Sequence, residues 1–330
     1  MNNALKLEPN DFLVASEYQF TTVEQKALVA FAKRESGRDY YEKPQWNDPK
    51  FAADFAATIS PTLSRYLSMM ASGFGPEILV IRDFPVDDPL PLFSDLSRNV
   101  REKSRNSEAI LTGIATAMAG SLQREESSHQ NGFIQQIYPV NDYKVESSGR
   151  GSAPLPFHVE NVFIEKAPSF LALACLAGQK GVKTEYLAVT DILKFLSADE
   201  ICLLSQPKYK IFSGDGFSHR VLLDAPVFDV LANGWVMSRI YEEDRILSDC
   251  PIATTAIVAL KKAIAQAKLD HVKGIELEAG VILLISNGLA KRRIGGVLHG
   301  RKGQIADVNN VSNETSQRWL QRVCIEVPYL

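Results

Sequence analysis

The sequence predicts a mainly β fold, a jelly roll or sandwich of short strands decorated with helices. The first part of the chain has helical patterns, and short apolar strands separated by turn residues follow from about residue 132. No internal repeat, low-complexity tract or clear linker divides the 330 residues. We therefore expect one domain over 1–330, in which a helical part of about 1–130 packs on a jelly-roll core of about 131–330 with inserted helices.

The helical part is predicted from helix start signals. Thr22 and Gln25 have the spacing of a capping box, and Val23, Ala27 and Phe31 would share one face of the helix that follows. The remaining predicted elements of this part are a helix from Ser60-Pro61 to Gly73, a strand that runs into a turn over 77–87, and a helix over 107–119.

The β core is predicted from apolar and β-branched runs between turn residues. The predicted strands are 133–139, 157–163, 170–177, 208–212, 219–224, 235–240, 274–278, 281–285 and 317–327. Two helical segments interrupt them, one over 190–205 with a capping box at Ser197 and Glu200, and one over 252–268.

The composition excludes several kinds of function. A net charge of −3 gives no basic field for nucleic acid, and the longest apolar runs are too short to span a membrane. Four scattered cysteines without a CxxC pair fit a reducing compartment, and the start of the chain lacks a signal-peptide pattern. We expect a cytoplasmic protein with neither nucleic-acid nor membrane partners.

A candidate metal site centres on His158 and Glu160 in the predicted strand 157–163. Side chains alternate along a strand, so these two would point to the same side. His299 is the best candidate for a third ligand, and two imidazoles with one carboxylate are the ligand set of non-haem Fe(II) oxygenases. The H-x-E motif is frequent by chance, so the motif alone is weak.

Two arginines of the last predicted strand form a second feature. Arg318, Leu320 and Arg322 would share one face of it, so that two guanidinium groups converge. A guanidinium pairs with a carboxylate in bidentate fashion, which suits an anionic cosubstrate beside a metal. The alternative is an ordinary solvated strand face with salt bridges.

In these motifs the chain resembles the clavaminate synthase-like branch of the Fe(II)/2-oxoglutarate-dependent oxygenases, which includes β-hydroxylases of free arginine and asparagine from antibiotic pathways. The similar segments keep the same order along the chain: 79–91, 134–139, 153–161, 169–176, 279–287, 298–301 and 317–322. The resemblance implies a double-stranded β-helix core, Fe(II) as cofactor, and 2-oxoglutarate and O2 as cosubstrates. It also implies hydroxylation of an unactivated carbon of an amino-acid-type substrate in specialised-metabolite biosynthesis.

The resemblance also implies roles for individual residues. His158, Glu160 and His299 match the iron ligands; Arg318 matches the arginine that binds the distal carboxylate of 2-oxoglutarate, and Arg322 a second arginine near it. Gln135 matches a glutamine that holds the substrate α-amino group, and the second oxygen of Glu160 would meet the same amine.

Three departures from the family concern substrate access and selectivity. The stretches from Asn287 to His299 and over 301–318 are longer than usual in the family. Where arginine-selective relatives have two acidic residues one position apart, this chain has Tyr241 and Glu243. Glu243 therefore favours a basic or amide side chain in the substrate, with a solvated turn as the alternative.

Other outcomes remain open at this point. Desaturation or cyclisation would use the same oxidant. A carrier-bound amino acid or a peptide is an alternative substrate, and a carrier protein would be a partner in the first case. A zinc hydrolase is a further alternative, although the chain contains no H-E-x-x-H segment. A non-catalytic jelly-roll binding protein is another, against which all three ligand residues and Arg318 are present.

Overall fold

A computed structural model of the chain describes residues 15–43, 48–90, 106–124, 132–138, 153–214, 221–231, 233–302 and 318–328. The predicted insertion over 301–318 lies almost wholly outside these ranges, as does the start of the chain. Within the described ranges, no helix combines the length and apolar character that crossing a membrane requires.

The largest sheet has seven strands. Its order is β1 (Ala15–Gln19), β2 (Ile78–Arg82), β14 (Ile282–Ser286), β6 (Phe170–Ala177), β17 (Trp319–Glu326) and β3 (Ser121–Gln123), and β4 (Gln135–Ile137) also pairs with β17. Strands β1 and β2 are parallel, and the other neighbours in this sheet are antiparallel.

A second, antiparallel sheet faces the first. Its order is β13 (Lys273–Glu276), β7 (Lys183–Ala188), β16 (Val297–Arg301) and β5 (Leu155–His158). Buried side chains of both sheets, among them Leu173, Leu283 and Val297, form one apolar cluster between them. Two small sheets make up the rest of the β sheets in the described part of the chain: β10 (Phe228–Val230), β11 (Trp235–Ser238) and β15 (Leu289–Lys291), and β12 (Ile246–Leu247), β8 (Tyr209–Phe212) and β9 (Leu222–Ala225).

The sequence of β6 explains how the large sheet is held between two cores. Its side chains alternate: Phe170 and Ala172 pack towards the helices, whereas Leu171 and Leu173 pack between the sheets. Because both faces are covered, a continuous apolar run is required at this position.

Four helices cover the outer face of the large sheet: α1 (Thr22–Arg34), α2 (Pro49–Ala56), α3 (Pro61–Ala71) and α4 (Asn106–Ala117). Ser60 caps α3 as predicted, and Gly73 follows the end of that helix with a φ of +77°. The capping box of α1 was predicted one residue too late, since Thr21 and Glu24 form it. The buried face of α1 therefore contains Phe31 but not Val23, which is 77% exposed.

Three inserted helices cover the outer face of the second sheet. They are α5 (Val189–Leu193), α6 (Ala198–Leu204) and α7 (Pro251–His271). Leu187 and Leu298 of the sheet pack with Leu260 of α7 in one buried cluster. The predicted helix over 190–205 is thus two helices, and the capping box at Ser197 opens the second of them.

Several strands differ from the sequence-based prediction. The predicted strand over 157–163 is wrong in extent, since β5 ends at His158. Strands β7 and β16, the two central strands of the second sheet, were not predicted. Both are short and mix polar with apolar residues, and their pairing joins parts of the chain more than a hundred residues apart.

Candidate metal centre

Two imidazoles meet at one end of the second sheet because their strands pair. His158 ends β5 and is the register partner of His299 in β16, so both side chains lie on the same face. The ring centroids are 4.3 Å apart. Nδ1 of His158 donates a hydrogen bond to the Pro156 carbonyl at 2.8 Å, which leaves Nε2 available as a metal ligand.

Glu160 joins the histidines for a different reason from the one predicted. It lies in the turn after β5, so strand alternation does not direct its side chain. Asn287 holds the turn instead: the Glu160 backbone N–H donates to Asn287 Oδ1 at 2.7 Å, and Asn287 Nδ2 donates to the Glu160 carbonyl at 2.9 Å. The next residue, Asn161, has a φ of +51°, which turns the chain away.

The three side chains form a candidate metal site. Glu160 Oε2 lies 3.9 Å from Nε2 of His158 and 3.7 Å from Nε2 of His299. The ligand atoms of all three residues lie within 4.8 Å of one another, a grouping that could hold one metal ion once the side chains close on it. Nε2 of His299 is buried and has no hydrogen-bond partner among the residues that the structure describes. This nitrogen is therefore available to bind a metal ion.

The protonation states also suit a metal. Burial, reinforced by the neighbouring His158, lowers the pKa of His299 to about 3, so the ring is neutral at pH 7. Burial alone would raise the pKa of Glu160, but Arg322 and the two histidines lower it to about 2. The site therefore offers one carboxylate and neutral imidazole, the forms that bind metal.

Arg322 and Gln135 lie beside the Glu160 carboxylate. Nη1 of Arg322 donates to Glu160 Oε2 at 2.7 Å, and Nε donates to Gln135 Oε1 at 2.7 Å. Gln135 is the register partner of Arg322 on β4, whereas Gln136 points to the opposite face and accepts a hydrogen bond from Trp319 Nε1 at 2.6 Å. Of the two glutamines, only Gln135 is next to the metal centre.

Arg318 hydrogen-bonds to Thr184 and not to the Gln135 and Glu160 side chains that Arg322 contacts. It is 4% exposed, and its Nη2 donates to Thr184 Oγ1 at 3.0 Å. No carboxylate of the described residues forms an ion pair with it. Burial lowers the pKa of Arg318 to about 10, yet it remains charged at pH 7. A buried, uncompensated guanidinium of this kind calls for an anionic ligand.

A second buried arginine accompanies Arg318. Arg301 is the register partner of Thr184 across β16 and β7, so Arg301 lies on the same face as the threonine that Arg318 contacts. Burial, followed by the charge of Arg318, lowers the pKa of Arg301 to about 10. Thr184 and Arg301 were not assigned from the sequence. Arg301 shares a strand face with His299 two residues earlier, which was the available signal.

Glu243 is not part of the metal cluster. Its carboxylate forms an ion pair with Arg245, and its side chain is 32% exposed. Tyr241, by contrast, is buried and stacks beside His158, with ring centroids 6.1 Å apart and an angle of 5° between the rings. The tyrosine rather than the glutamate is therefore next to a candidate metal ligand.

Comparison with known proteins gives relatives in sequence. No protein-family model matches the chain. Enduracididine β-hydroxylase of Streptomyces hygroscopicus is 29% identical over 181 residues, which are 53% of this chain and 50% of the relative. L-asparagine oxygenase of Streptomyces coelicolor is 29% identical over 157 residues, 45% of this chain and 46% of the relative. The chain thus spans about half the length of the curated relatives it matches.

Solved structures match over nearly the whole chain. Asparagine oxygenase in complex with Fe(II), hydroxyasparagine and succinate has a TM-score of 0.73 at 20% identity, covering 94% of this chain and 93% of that one. The non-haem iron oxygenase OrfP in complex with Fe and α-ketoglutaric acid has a TM-score of 0.71 at 21% identity, covering 95% and 94%. These comparisons confirm the resemblance found in the motifs: the chain is similar in sequence to amino-acid oxygenases and shares the fold of asparagine oxygenase and OrfP.

Proposed function

We propose that this protein is an Fe(II)- and 2-oxoglutarate-dependent dioxygenase that hydroxylates an unactivated carbon of an amino acid or amino-acid derivative. The two facing sheets are then the double-stranded β-helix of a single oxygenase domain with a helical N-terminal part. One observation carries the proposal: two imidazoles and a carboxylate converge, and the buried guanidinium of Arg318 has no anionic partner among the described residues.

His158, Glu160 and His299 would hold Fe(II). Three protein ligands leave coordination positions open for a cosubstrate and O2. When bound, the iron supplies the oxidation of 2-oxoglutarate to succinate and CO2 that accompanies insertion of oxygen into a C–H bond. The protein contributes ligand charge and position, since Asn287 fixes the Glu160 turn through two backbone contacts.

Arg318 and Thr184 would anchor the far carboxylate of 2-oxoglutarate. Register places Thr184 two residues along β7 from Tyr186, the partner of His299. Two residues of strand are about 7 Å, a span suited to a five-carbon dicarboxylate whose keto-acid end is at the metal. Bidentate pairing with Arg318 neutralises the buried charge, and Arg301 adds positive potential nearby.

Arg322, Gln135 and Glu160 would hold the charged groups of an amino-acid substrate. Arg322 offers a cation for the α-carboxylate, and the oxygens of Gln135 and Glu160 accept hydrogen bonds from the α-amino group. In this proposal Arg322 serves the substrate rather than the distal carboxylate of 2-oxoglutarate, because its contacts are at the metal ligand.

The test is turnover with a panel of L-amino acids under Fe(II), 2-oxoglutarate and O2. We expect succinate in a one-to-one ratio with a product that has gained one oxygen atom. A product that has lost two hydrogens instead would indicate desaturation or cyclisation. His299→Ala is expected to abolish both products and iron binding, and Lys50→Ala, a surface control, is expected to change neither.

Two results would contradict the proposal. The first is an iron-loaded, folded protein that consumes no 2-oxoglutarate with any amino acid, carrier-bound amino acid or peptide. The second is activity that depends on zinc and needs neither 2-oxoglutarate nor O2, as a hydrolase would show.

A further inference from the structure

A largely buried polar network lies on the side of β4 that faces the N-terminal helices. Its members, which we call the β4 network, are Tyr41, Glu108, Gln136, Trp319 and Gln321. Gln136 and Gln321 are register partners on β4 and β17, and Trp319 shares their face and packs among the helices. Arg322 and Gln135 lie on the opposite face, where they contact each other. The network is therefore directly behind two of the side chains proposed to hold an amino acid.

Tyr41 contacts β4 and the residues that lead into it. Its hydroxyl accepts a hydrogen bond from Gln136 Nε2 at 3.0 Å, and its carbonyl accepts one from the Phe133 backbone N–H at 3.2 Å. Gln136 Oε1 in turn accepts from Trp319 Nε1 at 2.6 Å, so both polar atoms of this amide are hydrogen-bonded. Among the described strands only β17 pairs with β4, so Tyr41 provides support that a second neighbouring strand would otherwise give.

Glu108 of α4 fixes the Tyr41 hydroxyl. It is 3% exposed, and its Oε1 accepts hydrogen bonds from the Tyr41 hydroxyl at 2.8 Å and from Gln321 Nε2 at 2.9 Å. Its Oε2 accepts a third from Ser107 Oγ at 3.0 Å. A buried carboxyl group is costly unless it is hydrogen-bonded, so these donors are held to it. Contacts thus run without a break from α4 through Tyr41 to Gln136 on β4.

The position of Gln135 depends on the backbone of β4. This strand has only three residues, Gln135–Ile137, which is short for a strand, so pairing with β17 alone holds it weakly. Gln135 Oε1 accepts a hydrogen bond from Arg322 Nε at 2.7 Å, and Arg322 Nη1 donates to Glu160 Oε2 at 2.7 Å. A shift of β4 at Gln136 would therefore move an acceptor that lies next to the metal centre.

We propose that Tyr41 is a positioning residue for the amino-acid substrate and that it acts through Gln136 and β4. The inference rests on the proposed function, in which Gln135 and Arg322 hold the α-groups of that substrate. It assigns to the helical layer a part in substrate binding that the contacts of the metal centre alone do not suggest.

The other ligands should be spared when β4 is loosened. Arg318 donates to Thr184 of the second sheet, and His158 and His299 belong to that sheet as well. The third candidate metal ligand, Glu160, is held by the side chain of Asn287. We therefore expect the affinity for the amino acid to depend on Tyr41, and the affinities for 2-oxoglutarate and Fe(II) to be independent of it.

The first experiment measures amide hydrogen exchange in the ligand-free protein. Tyr41→Phe removes the hydroxyl and keeps the ring, and exchange over 133–138 should become about 5- to 10-fold faster. Tyr18→Phe is the matched control, because Tyr18 also donates to a glutamate of the helical layer, Glu24, and its other hydrogen bond is to Ser60 rather than to β4. Exchange over 133–138 should be unchanged in Tyr18→Phe.

The second experiment measures steady-state kinetics with the L-amino acid that the wild type oxygenates fastest in the panel. In Tyr41→Phe the KM for this amino acid should rise about 5- to 10-fold, while the KM for 2-oxoglutarate and the Kd for Fe(II) should stay within about twofold. In Tyr18→Phe all three constants should stay at their wild-type values. A general loss of stability would not separate the amino acid from the cosubstrate in this way.

A double-variant cycle tests whether Tyr41 acts through Gln136. Gln136→Met removes the same contact from the side of the strand, and it should raise the KM for the amino acid and the exchange rate over 133–138 to a similar extent. Adding Tyr41→Phe to Gln136→Met should then produce almost no further rise, because residues that act as one unit are not additive. Gln136→Met alone tests the inference if Tyr41→Phe fails to fold.

The outcomes separate the inference from the proposed function. Unchanged exchange over 133–138, equal rises in the KM values of the amino acid and 2-oxoglutarate, or additive effects in the double variant would each overturn the inference and leave the oxygenase proposal standing. A wild type that consumes no 2-oxoglutarate with any amino acid, carrier-bound amino acid or peptide would overturn both.

Discussion

Replacing Arg318 by methionine tests whether the buried guanidinium is kept for an anion. A fall in the pKa of Arg318 from 12.5 to about 10 corresponds to about 3 kcal/mol of unfavourable burial. Methionine removes that cost and fills similar space, but it loses the hydrogen bond to Thr184, which contributes about 1 kcal/mol. We therefore expect the ligand-free variant to be more stable than the wild type by about 2 kcal/mol.

The assay is thermal unfolding with and without 2-oxoglutarate, in the presence of Fe(II) and without O2. For 330 residues, about 2 kcal/mol corresponds to a rise of about 3 °C in Tm. The wild type should gain about 2.7 kcal/mol when 2-oxoglutarate is present at 100 times its Kd. Arg318→Met should gain almost nothing, so the two proteins should change order when the ligand is added.

Arg239 provides a control because it is buried to a similar extent but has a carboxylate partner. It donates to the carbonyls of Val162, Ile164 and Glu165 and forms an ion pair with Asp229. Arg239→Met should destabilise the protein by about 3–5 kcal/mol, while the response to 2-oxoglutarate is retained. If Arg318→Met behaved in the same way, the assignment of Arg318 as an anion site would be refuted.

Three further predictions concern other contacts. Asn287→Ala removes three buried hydrogen bonds of the side chain and should lower the free energy of unfolding by about 3 kcal/mol. A metal titration should show Fe(II) affinity lowered about 10- to 100-fold. Unchanged affinity would show that the Glu160 turn does not depend on Asn287. Glu24→Gln should lose about 1–2 kcal/mol at pH 7. Burial opposes ionisation of Glu24, but its hydrogen bonds outweigh burial and lower its pKa in the folded state. The ionised carboxylate therefore stabilises the fold at any pH above the unfolded-state pKa, and this stabilisation is lost as the pH falls through the folded-state pKa. The melting temperatures of the two proteins should converge in acid. Gly296→Ala places a Cβ 2.5 Å from backbone atoms at a φ of +84°, whereas Gly181→Ala, the control, has a φ of +81° and open space around the Cβ. Gly296→Ala should therefore lower the free energy of unfolding by about 1–3 kcal/mol more than Gly181→Ala. Equal melting temperatures of the two variants would contradict this.

The fold was predictable where local sequence decides it. The run 170–177 was assigned as a strand with the bounds that the structure has, because an apolar run of that length between turns has few alternatives. Ser60 and Ser197 were likewise identified as helix starts because capping depends on neighbouring residues. Strands β7 and β16 were missed, since their formation depends on partners distant in the chain.

The candidate site shows the same division. His158, Glu160 and His299 were predicted as a set and lie together, yet the argument from strand alternation was wrong for Glu160. Asn287 directs that residue from a distant part of the chain, which no local pattern encodes. Thr184 could not be assigned for the same reason, since its contact with Arg318 depends on how two sheets stack.

Strand β17 connects the candidate metal centre to the helical layer. On one side Val323 and Ile325 pack among the N-terminal helices, and on the other Arg322 contacts Glu160, a candidate metal ligand. A substitution that weakens the packing of the helices would therefore displace the Arg322 guanidinium without contacting it. We expect remote variants in α2 or α4 to uncouple 2-oxoglutarate consumption from product formation, so screens for altered turnover should include the helical layer.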